Sequence, residues 1–116
     1  MPLPRKNRLT DKKDFDMVFK EGNAVKGNFL FIKYKKNTLT NSRVAFIVPI
    51  KVAGNAANRN RIKRIFSEQI RKKITDFKSK YDIVITLKRK EKEDSLKHEL
   101  MDLLNRTRIL NEKNSN

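Results

Sequence analysis

The sequence predicts one small α+β domain, an α/β sandwich in which a mixed, mostly antiparallel sheet is packed with helices. The chain has 116 residues, which is a usual length for a single domain. Two runs rich in β-branched and aromatic residues, at 29–34 and 81–87, predict strands. Other stretches repeat apolar residues at helical spacing, so the predicted order of elements is α, β, β, α, β, α. We therefore expect a single domain over residues 1–116.

Local patterns indicate the first three elements. Residues 1–8 carry two prolines and several cations and are expected to form a basic arm. A helix is predicted from an N-cap at Thr10 to about Glu21, with a glycine just past its end. A polar turn separates the strand at 29–34 from a second strand at 43–48. These two strands are expected to pair as an antiparallel hairpin.

The second half of the chain alternates helices with one strand. A loop at 50–55 leads to a helix at 56–73. The strand at 81–87 is predicted to be buried, because nearly all of its residues are apolar. A leucine-rich helix is expected at 93–110, and residues 111–116 are expected to be a frayed tail.

The charge of the chain points to a polyanionic partner. Lys and Arg number 29 against 13 Asp and Glu, which gives a formal net charge of +16. A domain this basic is typical of proteins that bind nucleic acid, and an anionic membrane surface is the alternative class of partner. The longest nearly apolar run, 44–50, is far shorter than the roughly 20 residues that span a bilayer. We expect a soluble, cytoplasmic protein without membrane association.

No catalytic or metal-binding motif is present in the sequence. Cysteine is absent, which excludes disulfides, thiolate metal sites and cysteine nucleophiles. His98 is the only histidine, and it lies in a helical stretch without a nucleophile pattern. The acidic residues that could hold a metal ion stand beside lysines and are expected to be solvated; they are Asp14, Asp16, Glu91, Glu93 and Asp94. We predict no catalytic residue and no metal ligand.

The helix at 56–73 carries the most informative pattern. At about 100° per residue, one face collects Ile62, Ile65, Phe66, Gln69 and Ile70, which are expected to pack on the sheet. The opposite face is expected to present Asn60, Arg64, Ser67 and Arg71. From Lys51 to Lys73 there is a single acidic residue, Glu68, whereas a merely solvated face usually mixes charge signs. Arg offers bidentate donors to phosphate and Asn can reach base edges, so this surface is predicted to bind nucleic acid.

The same helix carries a family resemblance. The run Arg59-Asn60-Arg61-Ile62-Lys63-Arg64, after Gly54-Asn55-Ala56, resembles the signature of the bacterial ribonuclease P protein subunit. Shorter matches follow in the same order over about residues 5–110, namely Asn7-Arg8-Leu9, Asp14-Phe15, Val18-Phe19, Ser42-Arg43-Val44 and Tyr81-Asp82-Ile83-Val84. The loop at 49–53 departs from the pattern, because it is mostly apolar and keeps only Lys51.

The resemblance implies a fold, a partner and two binding surfaces. It implies a left-handed βαβ crossover, which is rare. It also implies an accessory subunit of an endoribonuclease, whose RNA subunit cuts the 5′ leader from precursor tRNA with Mg²⁺. A monomer in a 1:1 complex with that RNA is expected, with no DNA partner and no cofactor held by protein residues. The residues implied to bind the catalytic RNA are Lys51, Asn55, Arg59, Asn60, Arg61, Lys63, Arg64 and Arg71. Those implied to bind the leader are Phe15, Phe19, Phe31 and Lys33.

Other interpretations stay open at this point. The three phenylalanines of the implied leader cleft can instead be ordinary core residues. A ribosomal or other structural RNA-binding protein would use the same basic helix without a processing role. A DNA-binding regulator would insert the helix at 56–73 into a major groove, but the strands at 29–34 and 81–87 do not suit a helical DNA-binding domain.

Overall fold

The fold is built on a four-stranded sheet. A computed structural model describes residues 3–110, and in it the strands are β1 (Asn23–Lys26), β2 (Leu30–Lys36), β3 (Arg43–Ile47) and β4 (Tyr81–Leu87). Their order across the sheet is β1-β2-β4-β3. β2 pairs antiparallel with β1 and β4, whereas β3 pairs parallel with β4. The predicted mixed, mostly antiparallel sheet is therefore confirmed.

The predicted hairpin between the strands at 29–34 and 43–48 is wrong. β4 lies between them, because its residues are buried on both faces and such a strand is most stable at the centre of a sheet. The chain passes from β3 to the parallel β4 through a helix, so a βαβ unit is present. The left hand of this crossover stays a prediction. The short edge strand β1 was not predicted, since its four residues lack an apolar pattern.

In the described part of the chain, four α-helices accompany the sheet: α1 (Lys12–Glu21), α2 (Ile50–Ala53), α3 (Ala56–Lys73) and α4 (Glu93–Thr107). Single 3-10 turns lie at Arg5–Asn7 and Ile74–Asp76. The bounds of α3 and β4 agree with the predicted ones. Within residues 3–110, no helix is long and apolar enough to cross a membrane.

Two helix ends and one loop differ from the prediction. The N-cap of α1 is Asp11 rather than Thr10, and its carboxylate accepts a hydrogen bond from the Lys13 N–H. The loop predicted at 50–55 contains the turn of helix α2 and ends at Gly54, whose φ of 104° favours glycine. α4 stops at Thr107 because Arg108 adopts the left-handed conformation.

Each face of the sheet carries its own apolar cluster. Leu30 and Ile32 of β2 are fully buried on the face that α3 and α4 cover, where the main core lies. The opposite face has a smaller cluster beneath α1, formed by Leu9, Val18, Ala45 and Val84. Because α1 spans only ten residues, it covers only part of this second face. The uncovered part is available as a binding surface.

The N-terminal segment predicted as a basic arm packs against β3 where it is described. Leu3 is buried in the main core, and the Leu9 N–H donates to the Val44 carbonyl oxygen at 3.0 Å. The Asn7 side-chain amide donates to the Ser42 carbonyl oxygen at 2.8 Å. This segment therefore protects the outer edge of the sheet. The predicted tail at 111–116 lies outside the described residues.

An ion network fastens α1 to the sheet. The Arg43 guanidinium donates to both carboxylate oxygens of the buried Asp82, at 2.9 and 2.7 Å. Its third donor reaches the Asp14 carboxylate of α1 at 2.9 Å. The hydrogen bond and charge of Asp82, followed by those of Asp14, raise the pKa of Arg43 against the opposing effect of its burial. The Arg43 guanidinium of β3 thus links this strand to both β4 and α1.

Replacing Asp14 tests whether this ion network stabilises the packing of α1 on the sheet. Asp14→Asn is expected to lower the free energy of unfolding by about 1 kcal/mol, because it removes one charge-assisted bond from a partly buried network. Asp16→Asn on the same helix is the control. Among residues 3–110, Asp16 pairs only with the exposed Lys12, so its loss is expected to cost less than about 0.5 kcal/mol. Urea unfolding of both variants measures the difference, and equal midpoints would contradict the proposed role of Asp14.

A buried carboxylate joins α4 to the turn between β1 and β2. Glu99 is 9% exposed, and its two oxygens accept the backbone N–H groups of Asn28, Phe29 and Leu30 at 2.7–2.8 Å. Gly27 precedes these donors, and a Cβ there would collide with the Glu99 carboxylate. The turn therefore combines a glycine that admits the carboxylate with three donors that satisfy it.

Candidate nucleic-acid interface

The exposed side of α3 is the first candidate surface. Ile62, Ile65, Phe66 and Ile70 are buried in the core, as predicted. This packing turns Asn60, Arg64 and Arg71 to solvent on the opposite side. Lys51 is exposed on α2, and Asn55 is exposed at the start of α3, where its side chain caps the helix through the Asn58 N–H. The implied catalytic-RNA-binding residues therefore lie on one side of the α2–α3 unit.

Two arginines of this surface are anchored by the protein itself. The Arg59 Nε donates to the Val48 carbonyl oxygen at 3.1 Å, which holds this half-buried side chain over the end of β3. Arg61 pairs with Glu93 of α4 at 3.1 Å and remains largely exposed. Hydrogen bonds from Lys97 and Arg61 hold the pKa of Glu93 below its usual range. These contacts limit the freedom of the two guanidinium groups in the free protein.

Lys63 and Ser67 lie one turn apart on the flank of α3. Lys63 is half-buried, and its burial, together with the neighbouring Arg59 charge, lowers its pKa. Ser67 was predicted to point to solvent with Arg64, but it is buried. Ser67 lines a cavity together with Leu3 and Arg8 of the N-terminal segment, and a helical wheel does not include such distant neighbours. The exposed arc of α3 is thus narrower than predicted.

The second candidate surface is the part of the sheet that α1 leaves uncovered. The pairing register places Lys26, Phe31, Thr86 and Ile47 in one row across all four strands. Phe31, Thr86 and Ile47 are each half-buried. We call this row the open row. In the adjacent row, Val84 and Ala45 are buried beneath α1, so the open row forms the floor of a cleft beside that helix.

Phe31 is surrounded by cations on the open row. The Lys26 and Lys88 ammonium groups lie 5.8 and 5.6 Å from the centre of its ring. Neither lysine was among the residues predicted to bind the leader. Lys88 directly follows β4 in the sequence, and its position beside Phe31 depends on the antiparallel pairing of β2 with β4. An aromatic ring flanked by two cations suits a stacked base with adjacent phosphates.

The other three predicted leader-binding residues line the α1 side of the cleft. The Lys33 ammonium donates to the Phe19 carbonyl oxygen at 2.7 Å, in the last turn of α1. Phe19 is 39% exposed, whereas Phe15 is half-buried against the smaller apolar cluster. The fold therefore brings Phe19 and Lys33 into contact and sets Phe31 two residues from Lys33 on the same face. None of the three phenylalanines is among the fully buried residues of the main core.

Comparison with known proteins decides the family. The family model described as Ribonuclease P matches residues 3–108. The chain belongs to the ribonuclease P protein family. A ribonuclease P protein component from Fusobacterium nucleatum is 43% identical over 84 residues, which cover 72% of this chain and 75% of the relative. One from Dehalococcoides mccartyi is 37% identical over 119 residues, covering 97% of this chain and 93% of the relative.

Solved structures of ribonuclease P proteins share the fold. The Staphylococcus aureus protein superposes with a TM-score of 0.83 at 22% identity, covering 90% of this chain and 98% of that one. The Thermotoga maritima protein gives a TM-score of 0.73 at 27% identity, covering 85% and 96%. The predicted small α+β domain of this family is thereby confirmed.

Several residues behind the ribonuclease P resemblance have structural roles in this chain. Asp14, Arg43 and Asp82 form the ion network, and the Asn7 side-chain amide donates to the Ser42 carbonyl oxygen. Asp16 pairs with Lys12, so the acidic residues of α1 are bonded to cations. Within residues 3–110, no three His, Asp or Glu side chains converge as metal ligands. The Mg²⁺ expected in the complex with RNA stays a prediction.

Proposed function

We propose that this chain is the accessory protein subunit of ribonuclease P and that it holds two RNAs at once. Its α3 surface would bind the catalytic RNA, and the cleft beside α1 would bind the 5′ leader of precursor tRNA. The family assignment supports the partnership with ribonuclease P RNA and the role in tRNA processing. The leader contact, the 1:1 stoichiometry and the cytoplasmic location are parts of the proposal.

One observation carries the proposal of two separate surfaces. Successive residues of β2 point to opposite faces of the sheet, so Leu30 and Ile32 pack beneath α3 and α4 while Phe31 and Lys33 face the cleft. The cationic helix and the aromatic cleft are therefore on opposite sides of the same sheet. A protein with this arrangement can contact a folded RNA on one side and a single strand on the other.

The chemistry of the two surfaces supports the assignment of each RNA. The α3 side presents guanidinium and amide groups, which suit the phosphates and ribose hydroxyls of a folded RNA. The cleft presents Phe31 between two lysines, which suits stacking on an extended strand. In this proposal the RNA subunit carries out the bond cleavage. The protein reduces phosphate repulsion between the two RNAs and positions the leader.

Reconstitution tests the proposed function. Purified protein is added to ribonuclease P RNA and precursor tRNA at a Mg²⁺ concentration too low for the RNA alone. We expect the protein to restore removal of the leader, and mature tRNA with its single 5′ end should accumulate. Binding to the RNA without any restored cleavage would reject the processing role and favour a purely structural RNA-binding protein.

Salt dependence tests the α3 surface. Each phosphate contact contributes about −0.7 to −0.9 to the slope of log affinity against log salt, so Arg64→Gln is expected to reduce the slope's magnitude by roughly one. Lys97→Gln is the matched control. Lys97 lies on α4 and pairs with Glu93, so its loss should leave the slope nearly unchanged. Filter binding to ribonuclease P RNA over a salt series measures both, and equal slopes for Arg64→Gln and the parent would place the contact elsewhere.

A further inference from the structure

An open cavity of about 410 Å³ lies at the outer edge of β3, bordered by the N-terminal segment, α1 and α3. Its volume falls in the range of about 300 to 1,000 Å³ that is typical of small-molecule sites. The walls are largely apolar and include Leu9 and the half-buried rings of Phe15 and Phe46. Of the residues proposed above to bind the leader, only Phe15 lines this cavity. Of those proposed to bind the catalytic RNA, only Lys63 does. The cavity therefore lies where the two proposed RNA surfaces approach each other.

Ser67 provides a polar group on the wall of this cavity. The residue is 6% exposed and lines the cavity, and its hydroxyl forms no hydrogen bond with any residue from 3 to 110. No fully buried side-chain polar atom among residues 3–110 lacks a hydrogen-bond partner, so the Ser67 hydroxyl is open to the cavity. A ligand with a donor or acceptor at this position would satisfy it.

Lys63 provides a cation beside that hydroxyl. It lies four residues before Ser67 on α3 and lines the same cavity. No Asp or Glu among residues 3–110 forms an ion pair with it. Burial and the nearby Arg59 both disfavour its charged form, which lowers its pKa. A bound anion would remove this penalty, because it would neutralise the ammonium group where solvent is partly excluded.

We infer that this cavity binds one unpaired RNA nucleotide. Its base enters between the Phe15 and Phe46 walls and meets the Ser67 hydroxyl, while its phosphate pairs with Lys63. The identity of the occupant as RNA rests on the proposed function. The nucleotide can come from the leader or from the catalytic RNA, and the experiment distinguishes these two sources.

A single introduced thiol tests the inference. The sequence contains no cysteine, so Ser67→Cys places a unique thiol on the cavity wall. Its alkylation by iodoacetamide is followed by mass spectrometry in the free protein and with uridine 5′-monophosphate, uridine or inorganic phosphate. We expect the nucleotide at saturation to slow alkylation at least about tenfold, and phosphate alone to have a smaller effect. Ser95→Cys, which lines a different cavity beside α4, should react equally fast in every case.

Two further alkylation experiments, each with a different RNA, identify the source of the nucleotide. The same thiol is alkylated with a single-stranded leader oligonucleotide and, separately, with ribonuclease P RNA. Protection by only one of them assigns the occupant to that RNA. Each arm includes a binding measurement under identical conditions. RNA that binds without protecting the thiol overturns the cavity inference and leaves the RNA-binding function intact, whereas RNA that does not bind rejects that function itself.

A second variant covers the case in which the introduced thiol disturbs folding. Ser67→Ala keeps the cavity open and removes only the hydroxyl. We expect it to weaken binding of uridine 5′-monophosphate about 2- to 10-fold without changing binding of inorganic phosphate, as measured by amide chemical shifts of the full chain. Equal nucleotide affinities for the variant and the parent would overturn the inference. An unreactive thiol in a folded free protein would also overturn it, because the cavity would then be closed.

Discussion

Glu99→Gln is expected to lower the free energy of unfolding by about 2–4 kcal/mol. The carboxylate accepts three backbone N–H groups of the β1–β2 turn, one on Oε1 and two on Oε2. A glutamine of the same shape keeps one accepting oxygen and directs an NH₂ group at the remaining donor. One buried donor then loses its partner, which costs about 1–3 kcal/mol, and the other bonds lose their charge assistance. Thermal and urea unfolding measure the loss.

Asp102→Asn is the matched control for that substitution. Asp102 lies three residues further along α4, is exposed, and pairs only with Arg106 among residues 3–110. Its change from carboxylate to amide is expected to cost less than about 0.5 kcal/mol. If the two variants lose the same stability, the three bonds to the turn contribute little and the turn is held by its apolar neighbours instead.

Phe31→Ala is expected to weaken binding of precursor tRNA about 5- to 150-fold while assembly with ribonuclease P RNA stays nearly intact. This range follows from stacking losses of about 1–3 kcal/mol per base on an aromatic ring. Mature tRNA lacks the leader, so its binding should not change. Arg61→Ala is the reciprocal variant and should impair assembly with the RNA first. Binding titrations with both tRNA forms measure the contrast.

A folding control separates the two explanations of a loss at Phe31. Truncating a fully buried phenylalanine typically costs about 3–5 kcal/mol, whereas Phe31 is half-buried on the open row. We expect a smaller loss of stability and a folded variant at working temperature. An unfolded variant would show that Phe31 is a core residue. A folded variant that binds precursor tRNA like the parent would show that the leader does not contact this strand.

The elements with strong local signals could be predicted from the sequence. The bounds of α3 and β4 agree with prediction because each has a long, regular apolar pattern. Thr10 is adjacent to the actual cap, Asp11, and both are good N-cap residues, so the choice between them depends on tertiary context. The β2–β3 hairpin was wrong because a turn signal indicates a reversal of the chain and says nothing of a third strand inserted between the two.

Site residues could be predicted where their exposure follows from the geometry of the helix or strand that carries them. The basic face of α3 follows from helical geometry alone. Lys26 and Lys88 were missed because they reach Phe31 from β1 and from just beyond the end of β4, and that proximity exists only in the folded register. Ser67 was misplaced for a related reason, since the N-terminal segment that lies near it is about 60 residues away in the chain.

The central position of β4 has a consequence for the order in which the protein can fold during synthesis. Both neighbours of β4 are translated well before it, with Leu30 pairing to Leu87 and Arg43 to Asp82. Until β4 leaves the ribosome, β2 and β3 have no strand between them, and the sheet remains two unconnected pieces. Contacts this distant in the chain are slow to form. Most of this cationic chain is therefore synthesised before its sheet can close.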